Sequence, residues 1–254
     1  MVERGPVAVV MPVRNCAPYI GQALASLTAQ SADALLDVIV VDDGSTDNTS
    51  SVVRSVMEQF SLVRLFEVEG RGISAARNTG LRKMRPDTAY VTFLDADDVS
   101  PQGRIRQGLE HFEADPKLDL VFGSMRVFSE LDAEKLEPKV GTWSVDIRGV
   151  QLGAGLFRAG LVREVGEFDA DFATGEDVDF LLRVFEAEPH YLLTSEICVF
   201  YRRHAANTSN DRPAVAKGHL RALMKSVRRR KGRDDFRYPA GLFDGTNLAK
   251  MRGI

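Results

Sequence analysis

The feature that most constrains the fold of this chain is the alternation, through its first half, of short apolar runs and longer segments with helical spacing. Val, Ile and Leu dominate the runs at residues 7–13, 36–41, 62–66 and 89–94. Continuous apolar strands separated by helical segments are typical of a parallel sheet that is covered on both faces. The sequence therefore predicts an α/β fold with a mostly parallel open sheet and helices on both faces.

Past residue 100 the pattern is less regular but remains that of an α/β chain. Helices are predicted at 104–112 and 180–185, and strands at 118–128 and 197–201. Residues 129–150 are polar and are interrupted by Pro138 and Gly141, which predicts an excursion or an edge strand. We expect one domain over residues 1–213, followed by a basic helix and tail at 214–254.

The composition excludes several classes of protein. The chain has 254 residues and a formal net charge of −3, so its bulk charge predicts no nucleic-acid partner. Its two cysteines, Cys16 and Cys198, fit no metal-ligand spacing and are expected to be free thiols in a reducing compartment. No apolar stretch free of charges approaches the length of a membrane span. The sequence therefore predicts a cytoplasmic protein.

A strongly basic segment lies near the C-terminus, at residues 217–233. It carries Lys217, Arg221, Lys225, Arg228, Arg229, Arg230, Lys231 and Arg233, and no acid. An apolar stripe at helical spacing runs through it, formed by Leu220, Leu223, Met224 and Val227. The favoured interpretation is a helix packed on the protein with a solvated basic face. The alternative is a helix that rests on anionic lipid at the inner face of the membrane.

Three acidic clusters mark the candidate site. They are Asp42 with Asp43 after the second apolar run, Asp95 with Asp97 and Asp98 after the fourth, and Glu176 with Asp177 after Gly175. In open α/β sheets, ligands bind at the carboxyl ends of the strands, where the first two clusters are predicted to lie. Carboxylates gathered there repel one another unless a cation or a hydrogen-bond donor lies between them.

The pair formed by Asp95 and Asp97 is the sharpest local feature. Two carboxylates at a strand-end turn can hold one hard divalent cation, and Mg²⁺ or Mn²⁺ keeps open positions for phosphate. A simple turn is the alternative, since Asp is common after strands. The residues after Asp43 likewise include good helix caps, although capping does not account for two consecutive carboxylates before Gly44.

Two further segments carry positive charge or imidazole toward this region. Arg77 and Asn78 lie in a predicted helix, where Arg77 would counter phosphate or bridge the acid clusters, unless both residues only satisfy strand-end carbonyls. The segment after the last predicted strand carries Arg202, Arg203 and His204, which would meet a diphosphate or a metal. The alternative is that His204 is an ordinary surface residue. The chain contains neither Gly-x-Gly-x-x-Gly nor a phosphate loop, which excludes the common dinucleotide and P-loop sites.

In their order and spacing these motifs resemble those of the family 2 glycosyltransferases, which have the nucleotide-sugar-binding fold called GT-A. The resemblance is carried by VVMPVRN at 9–15, SLTAQ at 26–30, VDDGSTD at 41–47, residues 72–80, FLDADD at 93–98 and GED at 175–177. It extends over about residues 7–204, which is most of the chain. It implies a donor-binding half at about 1–100 and an acceptor-binding half at about 101–213.

The resemblance also implies a role for each matching residue. Nucleotide contacts would come from Pro12, Arg14, Asn15, Asp42, Asp43, Arg77, Asn78, Asp95 and Ala96. Arg14 departs from the family pattern, which often has an aromatic residue at that position. A divalent cation, Mn²⁺ or Mg²⁺, would be held by Asp97 and His204. Asp177 would be the general base, with Glu176 beside it.

These roles imply transfer of a sugar from a nucleoside diphosphate, usually UDP in the family, to a carbohydrate or glycolipid acceptor in polysaccharide or glycolipid assembly. Asp177 would take the proton of the attacking hydroxyl, and the lack of a second nucleophilic carboxylate implies inversion at the anomeric carbon. The cation would neutralise the charge that grows on the leaving diphosphate.

Two other functions fit part of the pattern. Asp95 and Asp97 also resemble the nucleophile motif of haloacid-dehalogenase-type phosphatases, although that motif should end the first strand of its domain and here follows the fourth. The remaining alternative is a protein that binds a nucleotide-sugar or carbohydrate without turnover.

Overall fold

A single large sheet forms the centre of the computed structural model, which describes residues 5–148, 151–233 and 236–239. Its strands are β1 (Val7–Val13), β2 (Leu36–Asp42), β3 (Val63–Glu67), β4 (Tyr90–Phe93), β5 (Leu120–Phe128), β8 (Ser144–Ile147), β9 (Gly155–Arg158) and β10 (Tyr191–Arg202). Two short strands, β6 (Leu131–Asp132) and β7 (Glu137–Pro138), pair only with each other.

The helices alternate with these strands along the chain. They are α1 (Ala17–Thr28), α2 (Thr49–Met57), α3 (Ile73–Arg82), α4 (Arg104–Ala114), α5 (Ala159–Val165), α6 (Glu176–Glu186) and α7 (Arg212–Arg229). The sheet order is β10-β5-β9-β4-β1-β2-β3, with β8 paired to β5. Strands β1 to β4 pair in parallel, as do β5 and β10. The predicted α/β fold with a mostly parallel sheet is confirmed.

The apolar runs of the sequence form the core because they are covered on both faces. Every residue of β1 and of β2 is buried. Helix α3 lies close to β1 at Gly80, where a Cβ would come within 2.4 Å of a Val10 methyl group. Predicted helix and strand positions agree with the structure to within a few residues at most ends, because continuous burial leaves little choice of element.

The second half contains elements that the apolar pattern does not reveal. Strand β9 lies antiparallel between β4 and β5, and the short helix α5 follows it directly. The polar stretch predicted as an excursion or edge strand at 129–150 forms β6, β7 and β8, with residues 149–150 outside the described part of the chain. Strand β9 has only four residues and begins with Gly155, so it carries neither the length nor the alternation that identifies a strand.

Helix α7 begins two residues before the predicted boundary at 214. The Asp211 side chain accepts a hydrogen bond from the Ala214 amide at 3.1 Å, and Pro213 occupies the first turn, where its missing N–H costs nothing. The helix packs against α6. Of the helix and tail predicted at 214–254, residues 234–235 and 240–254 lie outside the described part of the chain. Both cysteines are free thiols. Among the helices that the structure describes, none has the length and apolar character needed to cross a bilayer.

Candidate active site

The carboxylates of Asp42 and Asp43 fix the loops at the end of β2. Asp42 accepts hydrogen bonds from the Ser45 amide at 2.8 Å and from the Ser50 hydroxyl. Asp43 accepts one from the Arg71 amide and one from the Gly72 amide, both at 2.9 Å. Both side chains are buried, so this pair holds the loop after β2 against the loop that begins α3.

The loop after β1 is hydrogen-bonded to the loop after β2. Asn15 adopts a left-handed backbone with φ of 49°, and its side-chain oxygen accepts from the Thr46 amide at 2.7 Å. Arg14 is exposed, and its guanidinium lies beside Gly70. Pro12 is buried within β1. The side chains of Arg14 and Asn15 therefore lie at the carboxyl ends of β1 and β2, next to the buried Asp43.

A buried guanidinium links two of the acid clusters. Arg77, only 3% exposed, donates from Nη2 to Asp95 Oδ1 at 2.8 Å and from Nη1 to Glu176 Oε1 at 2.6 Å. Burial lowers the pKa of Arg77, but the nearby carboxylates of Asp95 and Glu176 outweigh it and raise the pKa overall. The end of β4 and the start of α6 are thus joined through one cation.

The two acids at the start of α6 have different surroundings. Glu176 is buried, and burial together with the charge of Asp177 raises its pKa to about 7 against the opposing effect of Arg77. Asp177 is partly exposed, and its side chain accepts a hydrogen bond from the Val178 amide at 2.8 Å. Burial of the surrounding site raises the pKa of Asp177, while Arg77 lowers it. Glu176 is therefore engaged by the protein, and Asp177 retains acceptor capacity.

The neighbour of Arg77 in α3 has a different setting. Asn78 is buried, its amide nitrogen donates to the Phe168 carbonyl at 2.8 Å, and its amide oxygen accepts from the Phe168 amide at 2.7 Å. These two bonds use the side chain as a brace between α3 and the segment before α6. Of the predicted pair, Arg77 lies among the carboxylates, whereas Asn78 faces the core.

Asp97 lies beside His204, as the sequence predicts. Asp97 Oδ2 is 2.9 Å from His204 Nε2, and the Asn207 amide lies 3.4 Å from the same oxygen. The pKa of Asp97 is raised by burial and by the charge of Asp95, an effect that the hydrogen bond from His204 opposes. Among the described residues no group of three or more His, Cys, Asp or Glu side chains has metal-binding geometry, so Asp97 and His204 form a two-residue pair.

Neighbouring aromatic and charged residues support this pair. The Tyr19 ring stacks on His204 with centroids 4.5 Å apart, and the Arg202 guanidinium lies 5.0 Å from the Tyr19 centroid. Arg202 Nε donates to the Asp97 carbonyl at 3.0 Å. The sequence signal for Tyr19 is its position just after the first matched motif. The buried Asp98 accepts from the Arg202 amide at 3.0 Å and also fixes this corner.

Ala96 is buried between the two acidic residues that flank it. Arg203, predicted with His204 as a diphosphate or metal contact, instead donates to Ser209 and Asn210, each at 3.0 Å. A cavity of about 460 Å³ lies at the opposite edge of the sheet, near Thr88 and Asp119 at the amino ends of β4 and β5. We place the site at the carboxylates rather than in this cavity, because ligands of open α/β sheets bind at the carboxyl ends of the strands.

The sequence from β1 to β9 identifies the family of this chain. Residues 8–157 match the model of the family described as glycosyl transferase family 2. The chain belongs to glycosyl transferase family 2. The match covers β1 to β9 and includes the segments that carry Asp43, Arg77 and Asp97.

Named relatives of this family 2 chain include a glycosyltransferase and a chondroitin synthase. The present chain is 34% identical over 195 residues to pre-mycofactocin glycosyltransferase of Mycobacterium tuberculosis. The match covers 71% of this chain and 39% of that protein. The chain is also 26% identical over 231 residues, 88% of its length, to chondroitin synthase of Escherichia coli, of which the match covers 33%. The chain spans about half or less of the length of these relatives.

Solved structures share the fold of this family 2 chain. The mannosyltransferase PcManGT of Pyrobaculum calidifontis, in complex with GDP-Man and Mn²⁺, superposes with a TM-score of 0.68 at 22% identity, over 89% of this chain and 65% of that one. S. aureus TarS 1-349 in complex with UDP-GlcNAc superposes with a TM-score of 0.67 at 15% identity, over 87% of this chain and 65% of that one. At these identities the likeness establishes the fold, and the GT-A architecture is confirmed.

Proposed function

We propose that this family 2 chain is an inverting glycosyltransferase that moves a sugar from a nucleoside-diphosphate sugar, with UDP as the expected base, to a hydroxyl of a carbohydrate or glycolipid acceptor. The observation that carries the proposal is the arrangement at the end of β4. Asp97 pairs there with His204, and Arg77 bridges Asp95 to Glu176, the neighbour of Asp177. We assign leaving-group stabilisation to Asp97 and His204, and proton removal to Asp177.

The donor would bind over the loops that follow β1 and β2. Arg14 and Asn15 are exposed there, and the carboxylate of Asp43, which has about four acceptor positions, uses two of them on backbone amides. The neighbouring TarS and glucosyl-3-phosphoglycerate synthase structures contain UDP or a UDP-sugar, which supports uridine as the base. The guanidinium of Arg77 is engaged by Asp95 and Glu176, so we assign it to organising the carboxylates rather than to contacting phosphate.

The Asp97–His204 pair fits a divalent cation. A carboxylate oxygen and an imidazole nitrogen suit Mn²⁺, and phosphate and water complete such a site when the protein supplies few ligands. Burial and the charge of Asp95 raise the pKa of Asp97, and a cation there would offset both effects. When bound, the cation would neutralise charge on the departing nucleoside diphosphate. The Mn²⁺ in the neighbouring mannosyltransferase structure supports this assignment.

Asp177 is our choice for the general base because Glu176 is bound to Arg77. The Asp177 carboxylate would accept the proton of the acceptor hydroxyl as that oxygen forms a bond to the anomeric carbon. The bond from the anomeric carbon to the diphosphate oxygen would break in the same displacement, and the nucleoside diphosphate would leave. A pKa raised by burial suits a group that must take up a proton near neutral pH. A single displacement inverts the configuration.

The first experiment is a thermal-shift titration with UDP and GDP, with and without Mn²⁺. Because a ligand that binds only the folded state raises the melting temperature, we expect a UDP shift that requires Mn²⁺. Asp97→Ala should weaken that shift, and it should also weaken Mn²⁺ binding as measured by calorimetry. Asp146→Ala is the matched control, since Asp146 is exposed and pairs with Arg126 on β5. Equal shifts in both variants would contradict the metal assignment.

The second experiment separates binding from turnover. Asp177→Asn should retain the UDP shift and lose transfer to an accepted acceptor by roughly 10²–10⁴-fold, because the base is removed. Donor binding without turnover of any donor in the wild type would favour the binding-protein alternative. Metal-dependent cleavage of an aryl phosphate would favour the phosphatase, which the engagement of Asp95 by Arg77 disfavours.

A further inference from the structure

Helix α7 presents two faces of different character. The buried positions of the inward face carry small side chains, at Gly218, Ala222 and Ser226. At Gly218 a Cβ would lie 2.2 Å from the Thr174 carbonyl oxygen, so only glycine permits this approach. The helix therefore lies directly on the loop that begins α6.

Several cations of α7 attach the helix to the protein. Lys225 pairs with Asp169, and Arg229 pairs with Asp179 at 2.8 Å and with Glu186 at 2.6 Å. These contacts account for part of the basic character that the sequence shows. They lie on the side of the helix that faces α6.

The apolar stripe faces outward, contrary to what an apolar stripe on a packed helix leads one to expect. Leu220, Leu223, Met224 and Val227 are exposed by 59%, 46%, 50% and 61% respectively. Their spacing places them side by side along about two turns of the helix. A contiguous apolar patch on the surface marks an interaction site rather than scattered exposure.

Cations border this stripe. Lys217 and Arg228 are exposed on one flank of it, and Lys231 lies just beyond the end of the helix. Within the described part of the chain, these three side chains have no ion pair with any acid. Residues 212–233 contain no Asp or Glu, although the whole chain has a net charge of −3. The basic charge is thus concentrated where the apolar side chains are exposed.

We propose that this outward face of α7 docks on an anionic lipid surface. The four apolar side chains would enter the boundary between headgroups and acyl chains, while Lys217, Arg228 and Lys231 would extend to the phosphates. A second copy of the chain fits less well, because symmetric pairing would bring two acid-free basic faces together. The helix would lie in the plane of the surface, since its 18 residues carry lysine and arginine along their length.

Docking in this way determines where the active site would lie. Gly218 contacts Gly175, the residue immediately before Glu176 and Asp177. A helix is about 10 Å across, so docking would hold the start of α6 at about that distance from the headgroups. Resting on the function proposed above, we therefore infer a lipid-linked acceptor whose hydroxyl lies close to the headgroup region.

The test measures sedimentation with vesicles of phosphatidylcholine alone and of phosphatidylcholine with about one quarter phosphatidylglycerol, in the absence of nucleotide. We expect sedimentation only with the anionic vesicles. The triple variant K217Q/R228Q/K231Q should weaken vesicle binding on the order of a hundredfold, because each cation near such a surface raises the affinity about fivefold. The stripe variant L220Q/L223Q/M224Q/V227Q should also lose binding.

The matched control is K117Q/K135Q/K139Q, which removes three lysines from exposed positions outside α7 and should bind as the wild type does. Melting temperature and UDP binding verify that each variant is folded, and they separate failure of docking from failure of the proposed transferase activity. Absence of sedimentation with anionic vesicles, or equal binding by all variants, would overturn the proposal. A dimer that the stripe variant abolishes, without vesicle binding, would assign the face to a second copy.

Discussion

Replacing Arg77 with Met should remove the link between the carboxylates of Asp95 and Glu176 at a large cost in stability. Arg77 is 3% exposed and bonds Asp95 at 2.8 Å and Glu176 at 2.6 Å. Removing one partner of a buried ion pair leaves an uncompensated charge and costs about 3–5 kcal/mol. The matched control is Arg82→Met in the same helix, because Arg82 pairs with Glu167 where both are about half exposed, a contact that contributes about 0–1 kcal/mol.

The assay is urea denaturation of both variants at about pH 8 and about pH 5. Without the guanidinium, the pKa of the Glu176 carboxyl rises further above its ordinary value, so the folded state takes up a proton that the unfolded state lacks. The deficit of Arg77→Met should therefore be largest at high pH and shrink as pH falls. Adding Glu176→Gln should restore at least about 1 kcal/mol, since it removes the stranded charge. A deficit within about 1 kcal/mol of the Arg82→Met value, unchanged by pH, would refute the reasoning.

Three other predictions concern nearby contacts. Burial raises the pKa of Glu176 from 4.5 to about 7, so the free energy of unfolding of the wild type should fall by roughly 3 kcal/mol as pH rises between those values. Glu176→Gln should flatten this pH dependence, as measured by urea denaturation at several pH values. Asn78→Ala should cost roughly 2–4 kcal/mol in the same assay because it strands both backbone groups of Phe168, and a loss below about 0.5 kcal/mol would contradict that brace. Gly218→Ala should lower the melting temperature by forcing α7 away from Thr174, whereas Gly160→Ala, which meets nothing within 4 Å, should be neutral or stabilising by up to about 1 kcal/mol.

The first half of the fold is predictable because its signal is strong. Strands buried on both faces appear as unbroken apolar runs, and the clusters at Asp43 and Asp97 follow those runs directly. Strand β9 is not predictable in this way, because it is short and its neighbours β4 and β5 supply the pairing. Its place in the sheet depends on long-range contacts that no local pattern records.

The site was predictable in its residue types and less so in its contacts. The Asp97–His204 contact was expected, whereas Tyr19 and Asn207 beside it were not. The sequence predicts that Arg77 either counters phosphate or bridges the acid clusters, and the structure shows the bridge. Asn78 faces the core because its amide matches the free backbone of Phe168, a pairing across 90 residues that sequence spacing cannot show.

The orientation of α7 was also hidden in the sequence. An apolar stripe ordinarily packs inward, and here Gly218, Ala222 and Ser226 allow a closer approach on the other side of the helix. Acidic partners on α6 and in the segment before it then hold Lys225 and Arg229 on that side. The choice between the two faces depends on residues of α6 and the preceding loop, not on α7 alone.

The bonds that α3 makes have a consequence for chimeric enzymes. Arg77 and Asn78 belong by sequence to the first hundred residues, but they bond Glu176 and Phe168 in the other half. A graft that joins the first half of this chain to the second half of a relative would place both side chains against another sequence at the positions of Phe168 and Glu176. Recombination with a relative should therefore give a stable fold only when α3 is transferred together with the segment from 168 to 176.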